Sequence, residues 1–324
     1  MKRLLKRRAL VLTLGVLLAV SSFYGCRTIM GVLSGDLDPE DVQRDIQGVR
    51  SLAHAMSRAN QAITPEDEYY LGRAVAANVL SHYQNQFLEY GQFQQGQISP
   101  GLTRYLYHIT KILVMAAERR PAKGDRPTPL AGYHVVVVNS PIVNALSAPG
   151  GYIFVTTGLL RLARNEDEVA AIIAHEMCHI IRGHGIEAIR KARWNRVKNI
   201  FFSEAVSGVF GDQAAATEFL TAAVADILKR MLMEGYAQKS EYEADAFAMR
   251  LLSIAGYNPW ALYNVIRSMD QHGHGQARGF YKTHPAPVQR MKALYRVTPK
   301  VRYPTPPSAR LARFRVAMGY MPPS

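Results

Sequence analysis

Residues 175–179 read His-Glu-Met-Cys-His and sit inside an apolar run that opens at Val169 and continues to Ile181. Positions four apart on an α-helix share a face, so the imidazoles of His175 and His179 address the same point. Glu176, one residue on from His175, can reach a water held at that point but is poorly placed to ligate alongside both histidines. Burying two histidines and a carboxylate in an apolar helix is costly unless each finds a partner. A metal ion supplies that partner, and H-E-x-x-H is the pattern of zinc hydrolysis, with the glutamate as general base. Asn165-Glu166-Asp167-Glu168 offers an N-cap and an acidic first turn, so the spacing predicts a helix from about residue 165 to Ile181.

A catalytic zinc takes three protein ligands and leaves one position open. One route to the third is H-E-x-x-H-x-x-G-x-x-H, but the chain carries Arg182 and Gly185 where glycine and histidine are required. The other route is a glutamate on a later helix. Glu241-Tyr242-Glu243-Ala244-Asp245 lies in a helix-like run from Ser240 to Leu252. Glu241 and Asp245 share a face there, while Glu243 points elsewhere. Glu241 is read as the third ligand of one zinc per chain. Asp245 is read as a carboxylate that accepts a hydrogen bond from a ligand imidazole, His175. Cys178 is turned away from the ligand face and reads as a small core residue.

Elsewhere the pattern is mixed. Thr64-Pro65-Glu66-Asp67 is a helix start, with the helix expected to run to about His82. A second helix is expected from Ser99-Pro100 to Arg119, with Leu102, Leu106, Ile109 and Leu113 on one stripe. Pro121 to Gly132 is a loop, Tyr133 to Asn139 a buried strand, and Gly151 to Thr156 its neighbour in a small sheet. From Asn165 to Leu294 the chain reads as mostly helical.

Four stretches, taken in order, resemble the M-48 zinc metallopeptidases, gluzincins that include HtpX-like membrane proteases, CAAX prenyl proteases and BepA-like periplasmic proteases. They are Asn144 to Val155 with Thr157 to Leu160, Glu168 to His179, Glu241 to Asp245, and Thr283-His284-Pro285 with Arg290. The resemblance implies an α+β, predominantly helical fold: a zincin-like metallopeptidase domain with a small β-sheet beside the active-site helix. It also implies a role for His284 near the zinc, either bracing the tetrahedral intermediate or plugging the open metal position as a switch, with Arg290 close by. His184, His272 and His274 do not stand in matching positions and are left outside the site. In zinc peptidases of this kind an edge strand aligns an extended substrate backbone. Here that strand is expected at Gly150, Gly151, Tyr152 and Ile153, with broad specificity as the consequence.

The N-terminus bears on location. Lys2, Arg3, Lys6, Arg7 and Arg8 precede an apolar stretch from Ala9 to Val20, shorter than a comfortable membrane span. Gly25-Cys26 resembles the end of a bacterial lipobox, although Phe23 and Tyr24 depart from the usual residues. Cys26 is the expected acylated residue; cleavage after Ala19-Val20-Ser21 and an uncleaved anchor are the alternatives. Phe201 to Leu232 is apolar but carries Glu204, Asp212, Glu218 and Asp226, which reads as buried soluble helices. The expected organisation is a signal peptide (1–26), a lead-in (27–60) with a helix after Asp38-Pro39, a zinc metallopeptidase domain (61–296), and a proline-rich basic tail (297–324) without a tetratricopeptide extension.

A formal net charge of +14 falls partly in the leader and partly in clusters from Arg182 to Lys198 and from Lys300 to Arg315. These read as solvated faces or as contacts to anionic lipid. No nucleic-acid motif accompanies them, so nucleic acid is not an expected partner. The combined expectation is an envelope endopeptidase on the periplasmic side, lipid-anchored to the outer membrane. Its substrates are unfolded or misassembled envelope proteins. The rival is a latent, chaperone-like assembly factor whose zinc site is plugged by His284.

Overall fold

Thr64 and Asp67 open the first helix by exchanging cap bonds. The Asp67 N–H donates to Thr64 Oγ1 at 3.1 Å and the Thr64 N–H to Asp67 Oδ2 at 2.9 Å. Each satisfies a backbone donor that the first turn leaves over. The computed structural model of the protein describes residues 62–89, 100–191, 235–271, 286–297 and 306–319. The chain divides into two compact units, Ile63–Ala188 with Val224–Ser324 and Met1–Ala62 with Ile189–Ala223. The described residues belong almost wholly to the first.

Helix α1 spans Pro65–Glu89, continuing past His82, and α2 spans Pro100–Arg119 as its apolar stripe predicts. Leu102, Leu106, Ile109 and Leu113 of that stripe are buried in the core. Three strands follow: β1 at His134–Val138, β2 at Ala145–Ala148 and β3 at Tyr152–Thr156. Then come α3 (Thr157–Leu162), α4 (Glu166–Ile181), α5 (Gln238–Ala255), α6 (Trp260–Gln271), α7 (Pro287–Val297) and α8 (Ser308–Met318). The architecture is α+β and mostly helical, with one small sheet.

The sheet corrects one expectation. Its order is β1-β3-β2, with β3 parallel to β1 and antiparallel to β2. The strand expected at the edge is therefore the central one. Ile153 pairs with Val135 on one side and Ser147 on the other. Gly150 and Gly151 are buried rather than open to a substrate. Gly151 has φ 98°, and a Cβ there would lie 2.0 Å from the Gly132 carbonyl oxygen, so only glycine fits this turn. The edge beside α4 is β2, whose Ala-Leu-Ser-Ala sequence lacks the β-branched and aromatic residues that mark a strand. By the alternation of an antiparallel ladder, the backbone groups of Ala145 and Ser147 face away from β3.

Every residue of α4 is buried. The helix packs against α5, α6, α2 and β2, and Asn165 caps it by accepting from the Glu168 N–H at 3.0 Å. Its acidic first turn is anchored as well as dipole-favoured. Tyr257 donates to Glu166, the Asn258 N–H donates to Asp167, and Arg164 pairs with Glu168.

The segment expected as a proline-rich basic tail carries a helix of its own. Helix α8 buries Phe314 and Ala317 in the core cluster. It sends Arg310 to Asp167 at 2.8 Å and Arg313 to Glu166. Pro306 and Pro307 stand directly before α8, with Pro307 at its N-cap, where they precede a helix instead of preventing one.

Cys26, the lead-in helix and Phe201 to Leu232 lie outside the described residues. Among the described residues, no helix is long and apolar enough to cross a membrane.

Candidate metal centre

Helix α4 presents His175 and His179 one turn apart, and α5 crosses it with Glu241 facing both. His175 Nε2 lies 3.4 Å from His179 Nε2. The two Glu241 oxygens lie 3.5 Å from one ring nitrogen each, Oε2 from His175 and Oε1 from His179. Four ligands placed tetrahedrally about 2.1 Å from one ion stand about 3.4 Å apart, so these separations suit a zinc-sized ion. The three side chains are buried and form a group able to hold a metal.

Glu176 fits the same picture. Its carboxylate is buried, and among the described residues Oε1 has no hydrogen-bond partner. An ionisable oxygen left so in a packed core is costly unless a polar species beyond the side chains meets it. A metal and the water it carries are species of that kind.

The ligand imidazoles are held from behind. His175 Nδ1 lies 3.0 Å from Asp245 Oδ1, the contact expected from the sequence. Asp245 is in turn gripped by Arg290, through Nη2 to Oδ1 at 2.6 Å and Nε to Oδ2 at 2.9 Å. Arg290 Nη2 also comes within 3.4 Å of His175 Nδ1. A carboxylate accepts and a guanidinium only donates, so the Nδ1 hydrogen points to Asp245. The guanidinium is close because it binds the same carboxylate. Nε2 is thereby the ring nitrogen turned toward Glu241 and His179, where a metal would bind.

The electrostatics follow from these contacts. Burial works to raise the Asp245 pKa, but Arg290 and His175 outweigh it and bring it to about 2. For His175 burial works downward, and the Asp245 and Glu241 carboxylates outweigh it, raising the imidazole to about 9. Metal-free His175 is therefore protonated at neutral pH, and a metal must displace that proton. Metal affinity should rise about tenfold per pH unit between pH 6 and 8 from this histidine alone. Chelator competition across that range checks the slope; a flat profile contradicts the protonated state.

Cys178 is free and buried, and burial pushes its thiol well up. It stays in the core, as its helical angle predicts. His284 lies outside the described residues, as do His272 and His274.

Two residues at the centre were not assigned from the sequence. Tyr236 stacks on His179, with centroids 4.3 Å apart and planes at 18°, and its hydroxyl donates to the Ser147 carbonyl of β2 at 3.3 Å. His184, set aside on motif position, places Nδ1 2.8 Å from His179 Nδ1. An unbroken α4 would carry position 184 well off the ligand face. The helix stops at Ile181, and Gly183, at φ 68°, turns the chain so that His184 comes back against His179. Arg182-Gly183 is the sequence signal of that stop. Beside these residues runs a narrow cleft between β2 and the end of α4, lined by Ser147, Ala148, Pro149, His179, Gly183 and Tyr236.

A small sheet beside a buried H-E-x-x-H helix, with a glutamate supplied by a crossing helix, defines a zincin-like metallopeptidase domain. The chain belongs to Peptidase family M48, whose family model matches residues 109–298. It is similar to the mitochondrial metalloendopeptidase OMA1 of Arabidopsis thaliana, 33% identical over 164 residues that cover 50% of this chain and 31% of that protein. The beta-barrel assembly-enhancing protease of Escherichia coli is 24% identical over 195 residues, 59% of this chain and 38% of the relative. Metalloprotease LoiP of Escherichia coli is 25% identical over 148 residues, 46% of this chain and 56% of the relative. The chain thus spans less than two thirds of the length of each of these relatives.

Proposed function

We propose that this chain is a zinc-dependent endopeptidase of the bacterial cell envelope that degrades misfolded or unassembled envelope proteins. The observation that carries the reading is the convergence of His175, His179 and Glu241 at near-equal separations, with the buried Glu176 beside them. When bound, the metal would acidify a water and polarise the scissile carbonyl. Glu176 takes the proton of the attacking water and later delivers it to the leaving amine. Asp245 and Arg290 keep His175 in one tautomer through that cycle. His284, by resemblance, braces the developing oxyanion.

Edge strand β2 is the proposed docking line for the substrate. The outward backbone groups of Ala145 and Ser147 pair with an extended chain, and Tyr236 gives up its bond to the Ser147 carbonyl as the substrate arrives. Backbone pairing demands little of side-chain sequence, and it selects chains that are already unfolded.

The envelope location is supported by the basic, apolar leader ending at Gly25-Cys26 and by the relatives from Escherichia coli named for assembly of β-barrels and as a metalloprotease. Lipidation at Cys26 would tether the domain to the outer membrane.

The test is cleavage of an unfolded protein such as casein by the zinc-loaded chain. Turnover is expected to stop on chelation. A short peptide substrate should lose turnover at least tenfold when its backbone is N-methylated on the residues that pair with β2, since each methyl removes a ladder donor. An intact casein pool with zinc bound contradicts the peptidase reading. Undiminished cleavage of the N-methylated peptide contradicts docking on β2.

A further inference from the structure

His175 and His179 are both buried, yet they are supported differently. Behind His175 stand Asp245 and Arg290, both almost wholly buried. Behind His179 stands His184, whose Nδ1 lies 2.8 Å from His179 Nδ1. His184 Nε2 faces Glu243 Oε2 at 3.6 Å, and Glu243 Oε1 meets Arg182 Nε at 3.0 Å. Arg182 is held in its turn by the loop before β1, donating to the Lys123 carbonyl at 2.9 Å and pairing with Asp125 at 3.2 Å.

The hydrogens on this chain have one consistent arrangement. His179 Nε2 is the atom turned to Glu241 and His175, so a ligand role requires it to be bare. The hydrogen of a neutral His179 then sits on Nδ1 and is donated to His184 Nδ1. His184 must carry its own hydrogen on Nε2, which points to the Glu243 carboxylate. Tyr236, stacked on the His179 ring, fixes its plane but supplies no acceptor for Nδ1.

We infer that His184, backed by Glu243, is the positioning residue for His179: it accepts the His179 Nδ1 hydrogen and so fixes the tautomer and ring direction that aim Nε2 at the metal. This rests on the metal-centre reading above. It assigns the glutamate that follows Glu241 by two residues a task at the site, since His184 returns across the Gly183 turn to meet it. The two ligand arms then differ in kind. The His175 arm ends in a buried arginine, whereas the His179 arm ends at Glu243, whose side chain is 41% exposed. Loosening of the metal should therefore begin at His179.

Zinc affinity of the full chain, measured by competition with a chromophoric chelator at fixed pH, tests this. The series is wild type, His184→Leu, His184→Asn and Glu243→Ala. Leucine removes the acceptor at similar bulk, and affinity should fall about 10- to 100-fold. Asparagine can offer an amide oxygen close to where Nδ1 stood, and should recover most of the loss. Glu243→Ala, at an exposed position where folding is not at stake, should weaken binding by up to about tenfold. Wild-type affinity in His184→Leu, or His184→Asn as weak as His184→Leu, overturns the inference and reduces His184 to packing. Should His184→Leu not fold, unchanged affinity in Glu243→Ala overturns it equally. A wild type that takes up no zinc overturns the metal-centre reading instead, so the two failures are separable.

Discussion

Glu176→Gln is expected to lower kcat on an unfolded substrate by on the order of 10³-fold or more while the chain keeps its metal. Glutamine nearly matches the carboxylate in shape, so the packing around α4 is undisturbed. It can neither take the proton of an attacking water nor return it to an amine. Among the described residues the group that closes on one point is His175, His179 and Glu241, whose oxygens sit 3.5 Å from the ring nitrogens, and Glu176 stands outside it. Steady-state kinetics beside elemental analysis checks the split. A variant that retains kcat refutes the base assignment, and one that loses its metal makes Glu176 a ligand.

Arg290→Met should cost about 3–5 kcal/mol of stability, because it takes the two-point guanidinium contact from the buried Asp245 carboxylate and leaves only the His175 imidazolium against it. With the guanidinium present, Asp245 titrates at about 2, below the ordinary carboxylate value of 3.8. Its contribution to stability is full above the unfolded value and is lost as pH falls toward 2. Without Arg290 the depression lessens, so acid unfolding should start at higher pH. Thermal and acid melts of the metal-free chain measure both effects. The double variant Arg290→Met with Asp245→Leu should recover part of the loss, since it removes the buried charge as well as the pair. Equal stability of wild type and Arg290→Met contradicts the buried-pair account.

Much of the centre was legible because helices repeat. His175 with His179, and Glu241 with Asp245, are pairs at i and i+4, and that spacing fixes a shared face whatever the helices pack against. The contact of Asp245 with His175 follows once two such faces meet. Residues that reach the site across a break in periodicity were not legible. His184 returns only because Gly183 adopts φ 68°, and Tyr236 precedes α5 without a motif of its own.

The sheet failed for another reason. Tyr152–Thr156 has the composition of a strand and β2 does not, so the pairing of β1 with β3 was visible while the third strand was not. Only tertiary pairing makes Ala145–Ala148 a strand and moves the edge to it. Likewise, the prolines before residue 308 dominate the look of the C-terminal segment. Its helix stands on Arg310 and Arg313, which find acidic partners across more than 140 residues of sequence separation.

The central claim is that one zinc, held by His175, His179 and Glu241, makes this chain a peptidase. Its most direct test is a titration of metal-free wild type with zinc while casein cleavage is followed. Activity should rise in proportion to added zinc and level off at one equivalent per chain. Cleavage by the metal-free chain, or a chain that binds its equivalent and cleaves nothing, contradicts it.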